Sequence, residues 1–267
     1  MNYAIIPLKY IQANPCIPVR VGKMPIDPDA KAHAEYVCPV EEFERILQRF
    51  PQWLTEHNYF HLSLVVPYNC GTRISETFAI DLNEDVDFQK HELHIRGQWQ
   101  KRNKTWYIKP PKYDSYRTIK MGETLEQALK YGIHQRKLNK LKYGGAYLNT
   151  YVMPDNSITQ IRADIQVAYK EITPLCVKDT GELLTPDSFK YCARIVHYEL
   201  GNVLFHSHCL RHTHGTILAE AGVNPKTVME RLGHKDITTT LQTYTFNTEL
   251  MQQTAVDVFE NAIHKKA

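Results

Sequence analysis

Little in this chain points to a metal, a membrane or a secretory route. Its six cysteines (positions 16, 38, 70, 176, 192 and 209) include no Cys-x-x-Cys pair. With no secretory signal beside them they are expected to be free thiols, and a structural zinc site is not expected. No apolar run is long enough to cross a bilayer. The N-terminus lacks a basic stretch, an apolar core and a small-residue cleavage site in sequence, so the cytoplasm is the expected compartment. Repeats and low-complexity tracts are missing too, which removes repeat arrays. Net charge is only +3 over 267 residues, so bulk charge selects no partner.

What is present is a chain with 43% hydrophobic and 23% charged residues, able to bury a core and stay in solution. Its charge is unevenly placed. Residues 38–89 hold nine acidic and three basic residues, whereas residues 90–120 hold nine Lys/Arg against two Asp/Glu. Trp99, Trp106, Tyr107, Tyr113 and Tyr116 are interleaved with those cations. A basic, aromatic segment is the electrostatic footprint of a nucleic-acid contact, with a solvated hairpin as the plain alternative.

Residues 1–37 are broken by Asn14-Pro15, Ile17-Pro18, Met24-Pro25 and Asp27-Pro28 and read as a linker, with Tyr3 to Gln12 a leftover helix. Helices are expected from Pro39 to Phe50, from Tyr59 to Val66, and after the Asn69-Cys70-Gly71 turn, where Ile74, Phe78 and Leu82 form an inner stripe. Three short strands are expected at Leu93–Ile95, Thr105–Ile108 and Tyr116–Ile119, with Lys112 on the turn between the second and third. Further helices are expected at Glu123–Lys142, from the Thr185-Pro186 cap to Leu200, at Ser207–Ala221, from the Asn224-Pro225 cap to Gly233, and from Asp236 to Thr245. An amphipathic tail covers about residues 249–263. Residues 146–180 read as ambiguous, with a long loop. The fold class is therefore mainly α with a small three-stranded antiparallel sheet.

The chemistry gathers near the C-terminus. His208-Cys209-Leu210-Arg211-His212-Thr213-His214 is followed by Leu232-Gly233-His234 and then Tyr244, and Cys70-Gly71-Thr72-Arg73-Ile74-Ser75-Glu76 lies far upstream. His208 and Arg211 are three apart on an expected helix and project from one face. A guanidinium forks onto two phosphate oxygens and keeps its charge, so Arg73 and Arg211 together could clamp one phosphate and stabilise a pentacoordinate transition state. Either arginine alone reads more readily as an ion-pair partner. The histidine spacing matches no common zinc pattern, and His214 reads as a packing residue. Tyr244 as a nucleophile needs cations to favour the phenolate and a base to take its proton, and a lysine on a turn suits the leaving oxygen.

In this order, these pieces resemble the tyrosine recombinase (phage integrase) family across about residues 38–246. The resemblance implies the tyrosine recombinase catalytic-domain fold for residues 38–267, with 1–37 a linker and remnant of a core-binding domain. It implies that Arg73 and Arg211 bind the scissile phosphate and that Tyr244 attacks it to give a 3′-phosphotyrosyl link. Lys112 is then general acid to the 5′-oxygen, His208 assists proton transfer at the tyrosine or orients the phosphate, His234 hydrogen-bonds the phosphate and Glu76 supports the arginine. Lys101, Arg102, Lys104, Lys109 and Arg117 are the candidate DNA contacts. No cofactor, metal or ATP is implied. Double-stranded DNA is the implied partner, bound by a homotetramer, with DNA-bending or directionality proteins as accessories. Lys109 and Lys120 compete with Lys112, and the box departs from the usual Thr-Gly-hydrophobic-Arg. Family members carry a helical core-binding domain, so a catalytic fragment or truncated product with weaker site-specific binding is expected. A type IB topoisomerase and a DNA-binding module without catalysis are the competing readings.

Overall fold

The computed structural model describes residues 36–52, 58–236 and 249–264. Helix α1 (Val40–Arg49) buries Phe43 and Ile46. A 3-10 turn (Asn58–Phe60) leads into α2 (His61–Cys70), where Leu64, Val65, Val66 and Pro67 are all buried. A helix with no polar stripe belongs at the centre of a fold, and α2 packs against both the long helix α4 (Glu123–Tyr143) and α6 (Ser207–Glu220). Gly71 ends α2 in the left-handed region, at φ 63°. The short helix α3 (Ile74–Ala79) follows at once. It stops before Leu82, which lies in a turn closed by the Asp85 N–H on the Asp81 carbonyl, with its own N–H on the Thr173 carbonyl.

The strand region is richer than three strands. β1 (Val86–Asp87), β2 (Glu92–Ile95) and β5 (Arg117–Lys120) form one antiparallel sheet with β2 central. Leu93 faces Ile119 across it, and both are buried with Ile95. The expected strand at 105–108 does not join that sheet. As β4 (Thr105–Lys109) it pairs with β3 (Gln98–Arg102) in a separate hairpin. β3 shows only Trp99 as a buried residue, so its sequence carries no apolar alternation to read. Asn103 and Lys104 close the hairpin at φ 45° and 68°, as a two-residue turn between right-twisted strands requires.

The stretch that reads as ambiguous, residues 146–180, contains a second three-stranded sheet, β6 (Leu148–Val152), β7 (Ile158–Arg162) and β8 (Lys170–Ile172), ordered β7-β6-β8. It is fastened to the hairpin where Ile108 donates its N–H to the Asn156 carbonyl. Helix α5 (Phe189–Leu200) starts four residues later than Thr185, because Thr185 and Ser188 close a turn on each other first. Helix α7 (Pro225–Leu232) starts as its sequence indicates, with Pro225 in its first turn and the Asn224 side chain accepting from the Lys226 N–H. The tail helix α8 spans Glu249–His264. The helix expected over Asp236–Thr245 falls almost wholly outside the described residues. The main core is built from α1, α2, α4, α5, α6 and the first sheet. No helix among the described residues is long and apolar enough to cross a membrane.

Candidate active site

Three chain segments meet around a buried carboxylate. Glu76, on the first turn of α3, has no exposed side-chain surface. Its Oε1 accepts from the Arg73 guanidinium at 2.7 Å, and its Oε2 accepts from the Arg73 backbone N–H at 2.9 Å and from Arg117 Nη2 at 2.7 Å. Burial alone would raise the Glu76 pKa, but Arg117 and then Arg73 outweigh it and hold the carboxyl below its usual range. Arg73 is thus fixed at both its backbone and its side chain. Its free fork reaches the Gly233 carbonyl at 3.2 Å, which places it beside His234.

Arg211 comes from α6 and is 4% exposed. Its Nη1 donates to the Gly71 carbonyl at 2.7 Å, two residues before Arg73. Gly71 leaves room for its neighbours on α6 and α7, since a Cβ there would lie 2.4 Å from Leu232 and 2.8 Å from the His214 ring. His208 sits one turn earlier on α6. Its ring keeps an exposed face, yet its pKa is pushed down to about 4, by desolvation first, then by Arg211, His212, His206 and Arg73. The open face lets water screen part of that effect. His234 follows the left-handed Gly233 at the end of α7. Desolvation, then Arg211, Arg73, His212 and Arg117, push it down to about 4 as well. Arg73, Arg211, His208 and His234 therefore share one electrostatic neighbourhood, cationic in its arginines and neutral in its imidazoles at neutral pH.

Lys112 is not drawn into this group. It is exposed, with Nζ 4.9 Å from the centre of the Tyr113 ring. Its turn is held by Asp114 N–H on the Pro111 carbonyl, with Tyr113 and Asp114 both in the left-handed region at φ 62° and 52°. Two consecutive non-glycine residues there cost about 1 kcal/mol or more each, strain that clusters at functional sites. Tyr244 lies outside the described residues.

The expected DNA contacts divide. Arg102 and Lys104 are exposed at the hairpin tip, and Lys109 is half-buried at its base. Lys101 is exposed but bonded to Asp187 at 2.7 Å, beside the Trp106 ring. Arg117 is elsewhere than expected. Its side chain is 7% exposed and is spent on Glu76, the Arg231 carbonyl and the Ser115 carbonyl, so it is not a surface phosphate contact. Tyr116 and Thr118 on either side of this strand cation do not reveal a buried carboxylate 41 residues away, and the basic run around it suggested solvent instead.

Arg231 was not read from the sequence at all. It donates to the Lys120 carbonyl, the Asn69 carbonyl and His214 Nε2, and so ties β5, the end of α2 and α6 to α7. His214 gives Nδ1–H to the Tyr68 carbonyl, which fixes its neutral tautomer and makes it the packing residue its Thr-His-Gly setting suggested. The described cysteines, Cys38, Cys70, Cys176, Cys192 and Cys209, are free and buried.

The family model of the phage integrase family matches residues 38–250, and the chain belongs to that family. A tyrosine recombinase XerC-like protein of Caldanaerobacter subterraneus subsp. tengcongensis is 26% identical over 97% of this chain and 62% of its own length. The transposase from transposon Tn916 of Enterococcus faecalis is 26% identical over 76% of this chain and 46% of its own. The chain thus spans less than two thirds of these curated relatives. Among solved structures, the Tn1549 transposon integrase in complex with a circular intermediate DNA superposes with a TM-score of 0.62 at 22% identity, covering 84% of this chain and 65% of that one. XerA recombinase gives 0.55 at 16% identity, covering 83% and 64%. The fold is that of the tyrosine recombinase catalytic domain.

Proposed function

We propose that this protein is a site-specific DNA recombinase that cleaves and rejoins duplex DNA through a 3′-phosphotyrosyl intermediate, without metal or ATP. The observation that carries the reading is the convergence of Arg73, held by Glu76, with Arg211, His208 and His234 on one small region. Two guanidiniums aimed at one phosphate stabilise the charge that gathers on its non-bridging oxygens in the pentacoordinate transition state. Tyr244 is the nucleophile. Its oxygen bonds to phosphorus as the bond to the 5′-oxygen breaks, and Lys112 gives that oxygen a proton. His208, neutral at neutral pH, takes the tyrosine proton, and His234 hydrogen-bonds the phosphate. Attack by a second 5′-hydroxyl reverses the step and releases the tyrosine. The relatives include proteins named as integrases, recombinases and transposases, one of them solved on DNA, which supports DNA as substrate.

In this reading residues 38–267 are the catalytic domain and residues 1–37 a linker to a core-binding domain. The chain works in the cytoplasm as a homotetramer on DNA, with DNA-bending or directionality proteins as accessories. The basic hairpin tip, Arg102 and Lys104, contacts backbone phosphates. The test is a pool of nicked duplexes randomised over the core site, with wild type compared with Tyr244→Phe. A covalent protein–DNA adduct should form with wild type alone. An adduct that persists in the Phe variant would sink the mechanism, and cleavage abolished by chelators would sink the metal-free step.

A further inference from the structure

Glu76 binds two arginines, and the recombinase motifs account for only one. We propose that Arg117 is a positioning residue for the reaction above: it neutralises Glu76 so that the charge of Arg73 stays available to the scissile phosphate, and it holds the turn that carries His234. The inference rests on the strand-transfer reading of the site.

The charge count carries the first half. One carboxylate with Arg73 alone is a neutral pair, and a neutral pair offers a phosphate little. With Arg117 added, at 2.7 Å from Oε2 and 3.4 Å from Oε1, the cluster keeps one net positive charge. Both arginine side chains are largely buried, 15% exposed for Arg73 and 7% for Arg117, so water does little to screen the difference. Geometry carries the second half. Arg117 Nε donates to the Arg231 carbonyl at 2.9 Å, and Nη1 donates to the Ser115 carbonyl at 3.1 Å, three residues beyond Lys112. Its guanidinium lies so close to Gly233 that a Cβ there would be 2.9 Å from Nη1. One side chain therefore touches the segment of Arg73, the turn that follows Lys112 and the segment of His234.

A residue that merely holds the fold would act whatever the charge of the substrate. The test uses the full chain and two nicked-duplex pools, one with an ordinary phosphate at the scissile position and one with a methylphosphonate, which carries no negative charge. Arg117→Met should slow single-turnover adduct formation about 100-fold on the phosphate, the scale for losing one transition-state charge contact, and under about 5-fold on the methylphosphonate. Arg117→Lys should recover part of the loss, and Glu76→Gln added to Arg117→Met should recover about 10-fold by removing the carboxylate that captures Arg73. Equal slowing on both substrates, or no recovery in the double variant, overturns the proposal. A second measurement needs no DNA. Among the described residues, the charged and titratable groups acting on His234 include Arg211, Arg73, His212 and Arg117. Loss of one of these cations should raise the His234 ring pKa in Arg117→Met, followed by NMR, and Arg117→Lys should leave it in place. An unmoved His234 overturns the proposal. If wild type forms no adduct at all, the strand-transfer reading fails, and the imidazole titration still decides whether Arg117 sets the charge of this cluster.

Discussion

Replacing Gly233 by alanine tests the join between α7 and the Glu76 cluster. Gly233 sits at φ 68°, ψ 46°, and its absent Cβ would fall 2.9 Å from Nη1, 3.1 Å from Cζ and 3.2 Å from Cδ of Arg117. Alanine in the left-handed region costs about 1–2 kcal/mol. A flexible arginine would step aside, but this one is held by Glu76, the Arg231 carbonyl and the Ser115 carbonyl, so moving it breaks at least one charge-assisted bond, about 1.5–3 kcal/mol. Gly233→Ala should therefore lose roughly 3–4 kcal/mol in urea unfolding, the sum of the central values of the two terms. Gly233→Asn separates them. Asparagine adopts the left-handed region more readily yet presents the same Cβ, so it should recover about 1 kcal/mol and no more. Full recovery in the Asn variant would mean that backbone strain is the whole effect and that the close approach to Arg117 is not felt. A loss below about 0.5 kcal/mol in the Ala variant would refute both terms, since neither strain nor contact would then be present.

The same structure makes three more expectations. His214 is buried as a neutral ring, its pKa pushed down to about 4 by desolvation and then by Arg231. A depressed histidine contributes stability that is whole above its unfolded pKa near 6.5 and drains away as pH falls toward 4, so its share lost between pH 7 and pH 5 is about 2 kcal/mol; in His214→Gln the gap between urea unfolding free energies at the two pH values should shrink by about that share, and an unchanged gap would clear the ring. Thr213 Oγ1 accepts the Cys38 N–H at 2.8 Å and donates to the Cys209 carbonyl at 2.8 Å. Thr213→Val strands a buried N–H and should cost about 1–3 kcal/mol by thermal or urea unfolding, whereas Thr213→Ser should cost well under half of that. Removing the exposed tip charges together, Arg102→Ala with Lys104→Ala, should leave stability within about 0.5 kcal/mol and lower the slope of log affinity against log salt by about 2 on duplex DNA of any sequence; an unchanged slope would take the hairpin off the DNA.

What the sequence made legible is local chemistry. Asn224-Pro225 and the glycine after Leu232 bracket α7 because caps act within one helical turn. The second sheet was not legible. Residues 148–172 carry strands of three to five residues, and the short apolar runs in them fit loop and strand alike. The same limit explains Arg117. A cation between Tyr116 and Thr118 in a basic run is indistinguishable, as a string, from any exposed strand cation. Its meaning comes from a carboxylate 41 residues earlier and a carbonyl 114 residues later. Motif reading singled out Arg73, Arg211, His208 and His234 together because the proposed strand transfer demands those side-chain types. It read Arg117 as a DNA contact and passed over Arg231, because several of their partners are backbone carbonyls, which every residue supplies and no sequence marks. Charged groups that orient reacting groups through main-chain oxygens are therefore the part of such a site that structure adds, and the variants most able to separate clamp from scaffold lie there rather than among the motif residues.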